Sequence, residues 1–160
     1  MPGHTFIPRE YDIFAGVDVD RKSLAVTFTS HQGFIRSLRM PYRVDQLVQY
    51  VRKHFAEQRV AFAYEAGPTG YGLYDGLVAQ AYPCLIAAPA MIPRAPGQRV
   101  KTNRLDSRAL AEHLRGGQLK GIHVPSPVYR ELRHLTQLRD TAVTQAAATK
   151  QRITSLLLAE

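Results

Sequence analysis

Three acidic side chains, carried by three short motifs, have the types and spacing needed to bind a metal ion. Asp18 ends one apolar, strand-like run, and Glu65 ends another. Asp106 lies at the start of a predicted helix, and Asn103, three residues earlier on the same helix face, stands where a fourth carboxylate would be expected. Magnesium prefers oxygen ligands of this kind, and two such ions can stabilise the attacking and leaving oxygens of a phosphodiester. The three acids therefore predict a catalytic Mg²⁺ site, which Mn²⁺ could also occupy, for phosphodiester chemistry.

Each acidic residue on its own also has a simpler structural explanation. Asp18 could form an Asx-type turn, and Glu65 could be merely exposed. Asp106 could be a first-turn helix acid, which the helix dipole favours. Asp20, two residues after Asp18, is interpreted as a turn residue or as an outer partner of the site. Only the three motifs together, in this order, make the metal site the better interpretation.

Five apolar runs and three helical patterns supply the elements that would position these residues. The strands are predicted at residues 12–18, 24–29, 34–40, 59–64 and 84–88, and the helices at 45–55, 71–81 and 103–114. The first three strands are joined by short turns, which indicates an antiparallel meander. The last two strands are connected through helices. This order predicts an α/β, ribonuclease-H-like mixed sheet with flanking helices.

A long helix is predicted near the end of the chain, because residues 128–160 contain no Gly or Pro. Two imperfect heptad ladders run along it: Leu132, Arg139, Ala146 and Ile153, and Leu135, Ala142, Thr149 and Leu156. Heptad spacing favours packing against a partner helix, here a second copy of the chain. The alternative is an amphipathic helix that folds back on its own domain. The predicted organisation is a flexible arm over 1–12, a domain over 13–124 and a helical segment over 125–160.

The net charge of +8 is concentrated in the second half of the chain. Residues 1–88 hold 9 Lys and Arg against 8 Asp and Glu, whereas residues 89–160 hold 12 against 5. A one-sided positive field favours a polyanionic partner, most often nucleic acid, although simple solubility is an alternative reason. The basic residues around Asp106 are expected to contact the nucleic-acid backbone. They are Arg94, Arg99, Lys101, Arg104, Arg108 and Arg115.

Other classes of protein are disfavoured by the sequence. No apolar run reaches the length of about 18 residues that a membrane span needs, so no membrane contact is expected. The first residues lack the apolar segment of a signal peptide. The single cysteine, Cys84, excludes an internal disulfide and a zinc site built from several thiolates. We therefore expect a cytoplasmic protein.

The three acidic motifs also resemble those of a known family. They read Gly-Val-Asp at 16–18, Tyr-Glu-Ala-Gly-Pro-Thr-Gly-Tyr at 64–71, and Val-Lys-Thr-Asn-Arg-Leu-Asp-Ser-Arg-Ala-Leu-Ala at 100–111. In their residues, spacing and order these motifs resemble those of the DEDD-type insertion-sequence transposases. That family consists of RuvC-like, serine-assisted recombinases, and it includes the pilin-gene invertase and the bridge-RNA-guided recombinases. The resemblance covers the chain from about residue 13 to its end.

The resemblance implies the N-terminal, magnesium-dependent domain of a transposase that cuts and rejoins DNA under the guidance of a bridging RNA, in the nucleoid of a bacterium or archaeon. The family pattern of Asp, Glu and Asp-x-x-Asp matches Asp18, Glu65 and Asp106, while Asn103 occupies the position of the third acid. An amide carries no charge, so metal binding should be weaker or shared with Asp20 or a phosphate. The family's nucleophilic serine lies in a C-terminal domain that we expect to be absent here, so the chain alone should not complete strand exchange.

Two other functions stay open at this point. The same fold could be a metal-poor scaffold that binds RNA and DNA without chemistry of its own, because Asn103 removes one negative charge. A sugar-kinase or actin-like half-domain would share the first three strands. No glycine-rich phosphate loop follows the first strand, however, so we rank this alternative last.

Overall fold

The chain folds around a five-stranded mixed sheet with the strand order β3-β2-β1-β4-β5. The computed structural model describes residues 6–91 and 107–158. Its strands are β1 Ile13–Val19, β2 Ser23–Ser30, β3 Gly33–Pro41, β4 Val60–Glu65 and β5 Cys84–Ala87. β1 lies in the middle, because it pairs antiparallel with β2 and parallel with β4. The predicted meander of β1, β2 and β3 is confirmed.

Helices join and cover the strands. α1 Val44–His54 connects β3 to β4, α2 Gly72–Ala79 connects β4 to β5, and α3 Ser107–Arg115 follows the sheet. α3 packs against β1, β2 and β4. An antiparallel meander continued by two helix-connected parallel strands is the ribonuclease-H-like arrangement, so the predicted α/β fold is confirmed.

Side chains alternate between the two faces of the sheet, and each face has its own core. On one face, the ring of Phe28 on β2 lies 4.9 Å from that of Phe55, which follows α1. On the other face, Phe14 of β1 packs with Leu110 and Leu114 of α3, and all three side chains are fully buried. Burial of each leucine contributes about 1.5–3 kcal/mol. α3 is therefore held against the centre of the sheet by apolar contacts.

The end of β1 differs from the sequence-based expectation. β1 extends through Val19, because its pairing with β2 continues to Val19 and Leu24. Asp18 therefore lies inside the strand rather than at its end. The sequence allows Asp45 either to cap α1 or to support its first turn, and the structure has the second arrangement: Asp45 lies in the first turn and accepts hydrogen bonds at 3.2 and 3.0 Å from Arg43.

The sequence pattern of α2 predicts an apolar stripe of Leu73, Leu77 and Val78, and this prediction is wrong at Val78. Leu73 and Leu77, four residues apart, are buried as predicted, but Val78 is 46% exposed. A step of one residue turns the side chain by about 100° around the helix axis. In a helix of only eight residues the buried face is narrow, and Val78 falls outside it.

The chain divides into two compact units between His123 and Val124. The second unit contains α4 Pro127–Leu157, so the predicted long helix is confirmed. None of the described residues of α4 is buried. Within the ranges that the structure describes, no helix is both long and apolar enough to cross a membrane.

Part of the predicted arm over 1–12 lies within the described residues. The ring of Phe6 stacks on Tyr11 with 5.1 Å between the ring centres. Both side chains pack against the core cluster beneath α3. Between them, Pro8–Glu10 forms one turn of 3-10 helix. The described end of this segment is therefore in contact with the sheet domain.

Candidate functional site

The strand register brings Asp18 and Glu65 to neighbouring positions. β1 and β4 run parallel, and the last pair between them joins Val17 to Tyr64. Asp18 and Glu65 each follow by one residue, so they lie side by side on adjacent strands, about 5 Å apart across the sheet. Both residues are half-buried, and their side chains leave the same face. Two of the four predicted site residues are thus close together.

α3 lies on this face, and it begins beside the two carboxylates. Gly16, two residues before Asp18, faces α3 so closely that a Cβ atom would collide with the backbone of Ser107 and Ala111. Only glycine permits such a close approach of backbone to backbone. Since Ser107 is the first residue of α3, the start of the helix lies over β1 next to the position of Asp18.

A chain of three hydroxyls fastens the start of α3 to the sheet. Thr27 Oγ1 on β2 shares a hydrogen bond with Ser107 Oγ at 2.8 Å and another with Ser37 Oγ on β3 at 2.7 Å. Thr27 lies opposite Gly16 in the register, and both Thr27 and Ser107 are buried. A buried hydroxyl that loses its partner is destabilising. The chain of hydroxyls therefore favours one position for the helix start.

The loop after Glu65 is tied to the fold at two points. Ala66 donates its N–H to the carbonyl of Ala87 on β5 at 2.8 Å. The Tyr64 hydroxyl donates to the carbonyl of Gly70 at 3.3 Å, and Gly70 has a φ of 70°, which favours glycine. Burial raises the pKa of the Tyr64 hydroxyl, so this group stays protonated and able to donate. These contacts hold the segment that carries Glu65.

The donor groups fit a divalent cation. Among residues 6–91 and 107–158, no three His, Cys, Asp or Glu side chains form a cluster that could hold a metal ion. The described chain contributes Asp18 and Glu65, while Asn103 and Asp106 lie outside the described residues. Two adjacent carboxylates repel each other unless a cation lies between them. Mg²⁺ in proteins is commonly held by one or two carboxylates together with water and phosphate.

Two of the six predicted basic contacts lie in the described part of the chain. The Arg108 guanidinium lies over the ring of Phe34, 4.9 Å from its centre, in the first turn of α3. Arg115 lies at the other end of α3, about 10 Å from Arg108 along the helix axis. It pairs with Glu112 at 2.6 Å and donates to the carbonyl of His31 at 3.2 Å. The remaining residues lie outside the described ranges: Arg94, Arg99, Lys101 and Arg104.

The site face carries two polar residues that the sequence motifs did not single out, Thr27 and Arg39. Arg39 on β3 donates hydrogen bonds from Nε and Nη2 to Ser23 Oγ at 3.1 and 3.0 Å, and it lies 3.8 Å from Asp20. Asp20 accepts a hydrogen bond from the N–H of Arg21 at 2.7 Å, as a turn residue does. The signal that identifies Thr27 and Arg39 is the strand register, which places both on the face of Asp18.

Solved structures of RuvC resemble this chain at low sequence identity. The structure of T. thermophilus RuvC in complex with Holliday junction substrate aligns with a TM-score of 0.48 and 10% identity, over 69% of this chain and 99% of that one. A second Thermus thermophilus RuvC structure aligns with a TM-score of 0.40 and 14% identity, over 71% of this chain and 85% of that one.

Curated relatives of this chain are transposases. The putative transposase y4qE of Sinorhizobium fredii (strain NBRC 101917 / NGR234) is 35% identical over 151 residues, which make up 92% of this chain and 39% of the relative. The transposase for insertion sequence element IS1533 of Leptospira borgpetersenii is 26% identical over 151 residues, 91% of this chain and 43% of that one. The chain therefore spans about two fifths of the length of these relatives.

The family comparison agrees with the resemblance of the three acidic motifs. The model of the DEDD_Tnp_IS110 family, described as a transposase, matches residues 15–159. This match covers the sheet domain and α4. The chain belongs to the DEDD-type IS110 transposase family.

Proposed function

We propose that this chain is the metal-binding, RuvC-like domain of a DNA transposase that cuts and rejoins DNA phosphodiesters. The observation that carries the proposal is the register that sets Asp18 and Glu65 side by side at the start of α3. Membership of a transposase family supports the class of reaction. In this proposal Asp18, Glu65 and Asp106 bind Mg²⁺ or Mn²⁺, and Asn103 contributes an amide oxygen.

The protein groups would act by position and charge. Two carboxylates on adjacent strands repel an approaching DNA phosphate, so Asp18 and Glu65 are suited to catalysis only with a cation. When bound, the metal supplies Lewis-acid polarisation of the phosphoryl oxygens. The pairing of β1 with β4 fixes the two carboxylates relative to each other. The bond between Thr27 and Ser107 fixes the helix start that follows Asp106 in the sequence.

Asn103 is the weakest member of the proposed site. It stands where the resembled family carries a third acid, and an amide oxygen lacks the charge that attracts the cation. We expect an Asn103→Asp variant to bind Mn²⁺ more tightly than the natural chain. An unchanged affinity would show that Asn103 does not occupy the position of the third acid.

A second function, favoured by Asn103, is a metal-poor scaffold. In that case the domain would bind nucleic acid through its basic residues, and the chemistry would lie elsewhere in the protein. The two functions differ in what the metal does. In the first, a cation is needed to bring DNA to Asp18 and Glu65, whereas in the second DNA binding depends only on the basic groups.

The proposed nucleic-acid contacts lie around α3 and the segment before it. Arg108 lies in the first turn of the helix, and Arg94, Arg99, Lys101 and Arg104 precede it in the sequence. Basic side chains there would neutralise phosphates close to the acidic site. The contribution of Arg115 should be smaller, because Glu112 already pairs with it.

We further propose partners that the family resemblance implies. A bridging RNA would select the DNA target, and a serine in a further domain would act in strand exchange. The chain spans about two fifths of the length of its curated relatives, so these activities belong to the longer protein. The place of action would be the cytoplasm of a bacterium or archaeon, at the nucleoid.

Self-association through α4 is also part of the proposal. α4 is 31 residues long, and large apolar side chains are exposed along it. Those at or beside the predicted heptad ladders are Leu132, Leu135, Leu138, Val143, Ile153 and Leu156. Exposed apolar side chains in such number mark interaction surfaces. A second copy of the chain is the partner that the heptad spacing favours.

The experiment compares DNA affinity in Mg²⁺ and in EDTA at constant ionic strength. For the natural chain we expect Mg²⁺ to strengthen the binding of a short DNA duplex. We expect Asp18→Asn to lose this gain, and Asp45→Asn, a surface acid on α1, to keep it. Equal DNA affinity in Mg²⁺ and EDTA for the natural chain would favour the scaffold.

A further inference from the structure

A row of residues crosses the sheet at the level of the two carboxylates. In the register, Asp18 of β1 lies opposite Ala25 of β2, and Ala25 lies opposite Arg39 of β3. On the other side of Asp18, Glu65 continues the row on β4. All four side chains leave the same face. Arg39 is therefore two strand spacings, about 10 Å, from Asp18.

The row is open between its charged members. Ala25 has the smallest side chain in it, so no bulky side chain of this row separates Arg39 from Asp18 in the described part of the chain. The backbone of α3 covers Gly16, two residues further back on β1, and Ala25 is only half-buried. The sheet thus offers a shallow strip that runs from one basic group to two acidic groups.

The Arg39 guanidinium is held in place but stays accessible. Two hydrogen bonds to Ser23 Oγ, at 3.1 and 3.0 Å, set its direction. Its side chain is 70% exposed, and the contact with Asp20 at 3.8 Å is long. Exposed ion pairs of this kind contribute little, so an incoming phosphate can compete with Asp20. Arg21 and Lys22, both exposed in the turn between β1 and β2, add positive charge beside it.

We propose that Arg39 binds a DNA phosphate that neighbours the phosphate at the Asp18–Glu65 site. This inference rests on the proposed function, since it assumes that DNA crosses the two carboxylates. A guanidinium matches the planar, two-oxygen geometry of a phosphate. Arg39 and Asp18 lie about 10 Å apart on the sheet, a distance that one or two nucleotide steps of a DNA strand can cover. Arg39 would therefore fix the register of the strand without reading its bases.

Arg36 supplies a matched control for Arg39. It lies three residues earlier on the same edge strand, is exposed, and carries the same charge. Its side chain leaves the opposite face of the sheet and donates to the hydroxyl of Tyr50 on α1 at 3.2 Å. The variants Arg36→Gln and Arg39→Gln thus remove equal charge from the two faces. An Arg39→Lys variant keeps the charge but cannot make the bidentate contact of a guanidinium with two phosphate oxygens.

The experiment measures binding of a short DNA duplex to the full chain in Mg²⁺ over a range of salt concentrations. We expect Arg39→Gln to weaken binding about three- to tenfold and to make the slope of log affinity against log salt less negative by about 0.9. Arg36→Gln should change neither quantity. Arg39→Lys keeps the charge, so its salt slope should be close to that of the natural chain, while its affinity should stay lower. Melting temperatures close to that of the natural chain would show that the variants fold.

Each remaining outcome overturns the inference. If the natural chain binds DNA but the two glutamine variants behave alike, Arg39 has no special contact and the proposed function is unaffected. If Arg39→Gln weakens binding of a matched RNA duplex but not of DNA, the surface binds RNA instead. If the natural chain does not bind DNA at all, the proposed function fails together with this inference.

Discussion

Two carboxylates, Asp18 and Glu65, stand next to each other on adjacent strands, and their charges repel. The repulsion between two unit charges a few ångströms apart is about 1 kcal/mol in water-like surroundings. The fold maintains this arrangement because strand pairing and the contacts of α3 hold the backbone in place. The repulsion between the two carboxylates raises the energy of the metal-free site, and a bound cation would remove it.

This repulsion leads to a prediction about stability without metal. In EDTA we expect Asp18→Asn to leave the free energy of unfolding unchanged or to raise it by up to about 1 kcal/mol, because one of the two charges is gone. Urea denaturation at low and high salt measures the effect. The gain should shrink at high salt, since salt screens the repulsion. A clear loss of stability would mean that Asp18 has a structural partner rather than an open metal site.

The chain of hydroxyls on the same face gives a second prediction. Thr27→Val removes the shared partner of Ser107 and Ser37, and we expect a loss of about 1–3 kcal/mol in the free energy of unfolding. Thr29→Val is the matched control, because Thr29 Oγ1 is buried and has no hydrogen-bond partner among the described residues. Its replacement should be neutral or stabilising. Equal losses in the two variants would contradict a special role for Thr27.

Some residues of the site could be predicted from the sequence and others could not. Asp18 and Glu65 were predictable because each follows an apolar run, and the ends of such runs tend to meet at one edge of a sheet. Thr27 and Arg39 were not predictable. Thr27 resembles any β-branched strand residue, and its partner Ser107 is 80 residues away. Only the pairing of β1, β2 and β3 shows that these side chains share a face with Asp18.

At the level of elements, the candidate site depends on how closely α3 approaches β1. Gly16 makes this approach possible, since a Cβ atom there would come within 2.9 Å of Leu110 Cβ and would collide with the helix backbone. Thus β1 and α3, which are far apart in the sequence, meet at Gly16, which has no side chain. The position of the helix start relative to Asp18 follows from this contact.

The contact predicts a large effect of a small substitution. Gly16→Ala should lower the free energy of unfolding by about 1–3 kcal/mol, because backbone atoms of α3 must move to admit the methyl group. Gly67→Ala is the control, since the nearest heavy atom to its added Cβ would be the Glu65 carbonyl at 3.8 Å. Thermal denaturation compares the two variants. Similar melting temperatures would contradict the close packing of α3 on β1.

The elements themselves were well predicted, because each has a strong local pattern. β4 is a nearly continuous apolar run, which suits a strand buried on both faces. The end of β1 was set one residue too early, because the pairing partner of Val19 lies on β2 and cannot be read locally. Val78 was placed in the core because its helix is short and the apolar stripe is ambiguous. Both errors concern tertiary contacts, which local patterns do not contain.

At the scale of the whole molecule, the sheet domain and α4 have different surfaces. The sheet domain buries most of its large apolar side chains, whereas none of the described residues of α4 is buried. The positive charge lies mainly in the second half of the chain. This distribution supports the proposed contacts with nucleic acid and with a partner helix.

Association through α4 would bury the two heptad ladders, which together form its seam. A charge introduced into this seam should therefore weaken association. We expect the full chain to self-associate, and Leu135→Arg combined with Leu156→Arg to weaken association by more than about tenfold, because each buried leucine contributes about 1.5–3 kcal/mol. Gln137→Arg combined with Gln151→Arg adds the same charge outside the seam and should have little effect. Sedimentation velocity measures the difference. A monomeric natural chain, or equal effects of both pairs, would contradict the seam.

The central claim is that Asp18 and Glu65 bind a divalent cation, and a calorimetric titration of the metal-free chain with Mn²⁺ tests it most directly. We predict saturable binding to the natural chain, loss of that binding in both Asp18→Asn and Glu65→Gln, and full retention in Asp45→Asn, which removes an acid from the surface of α1. Mn²⁺ binding by Asp18→Asn with the affinity of the natural chain would contradict the claim.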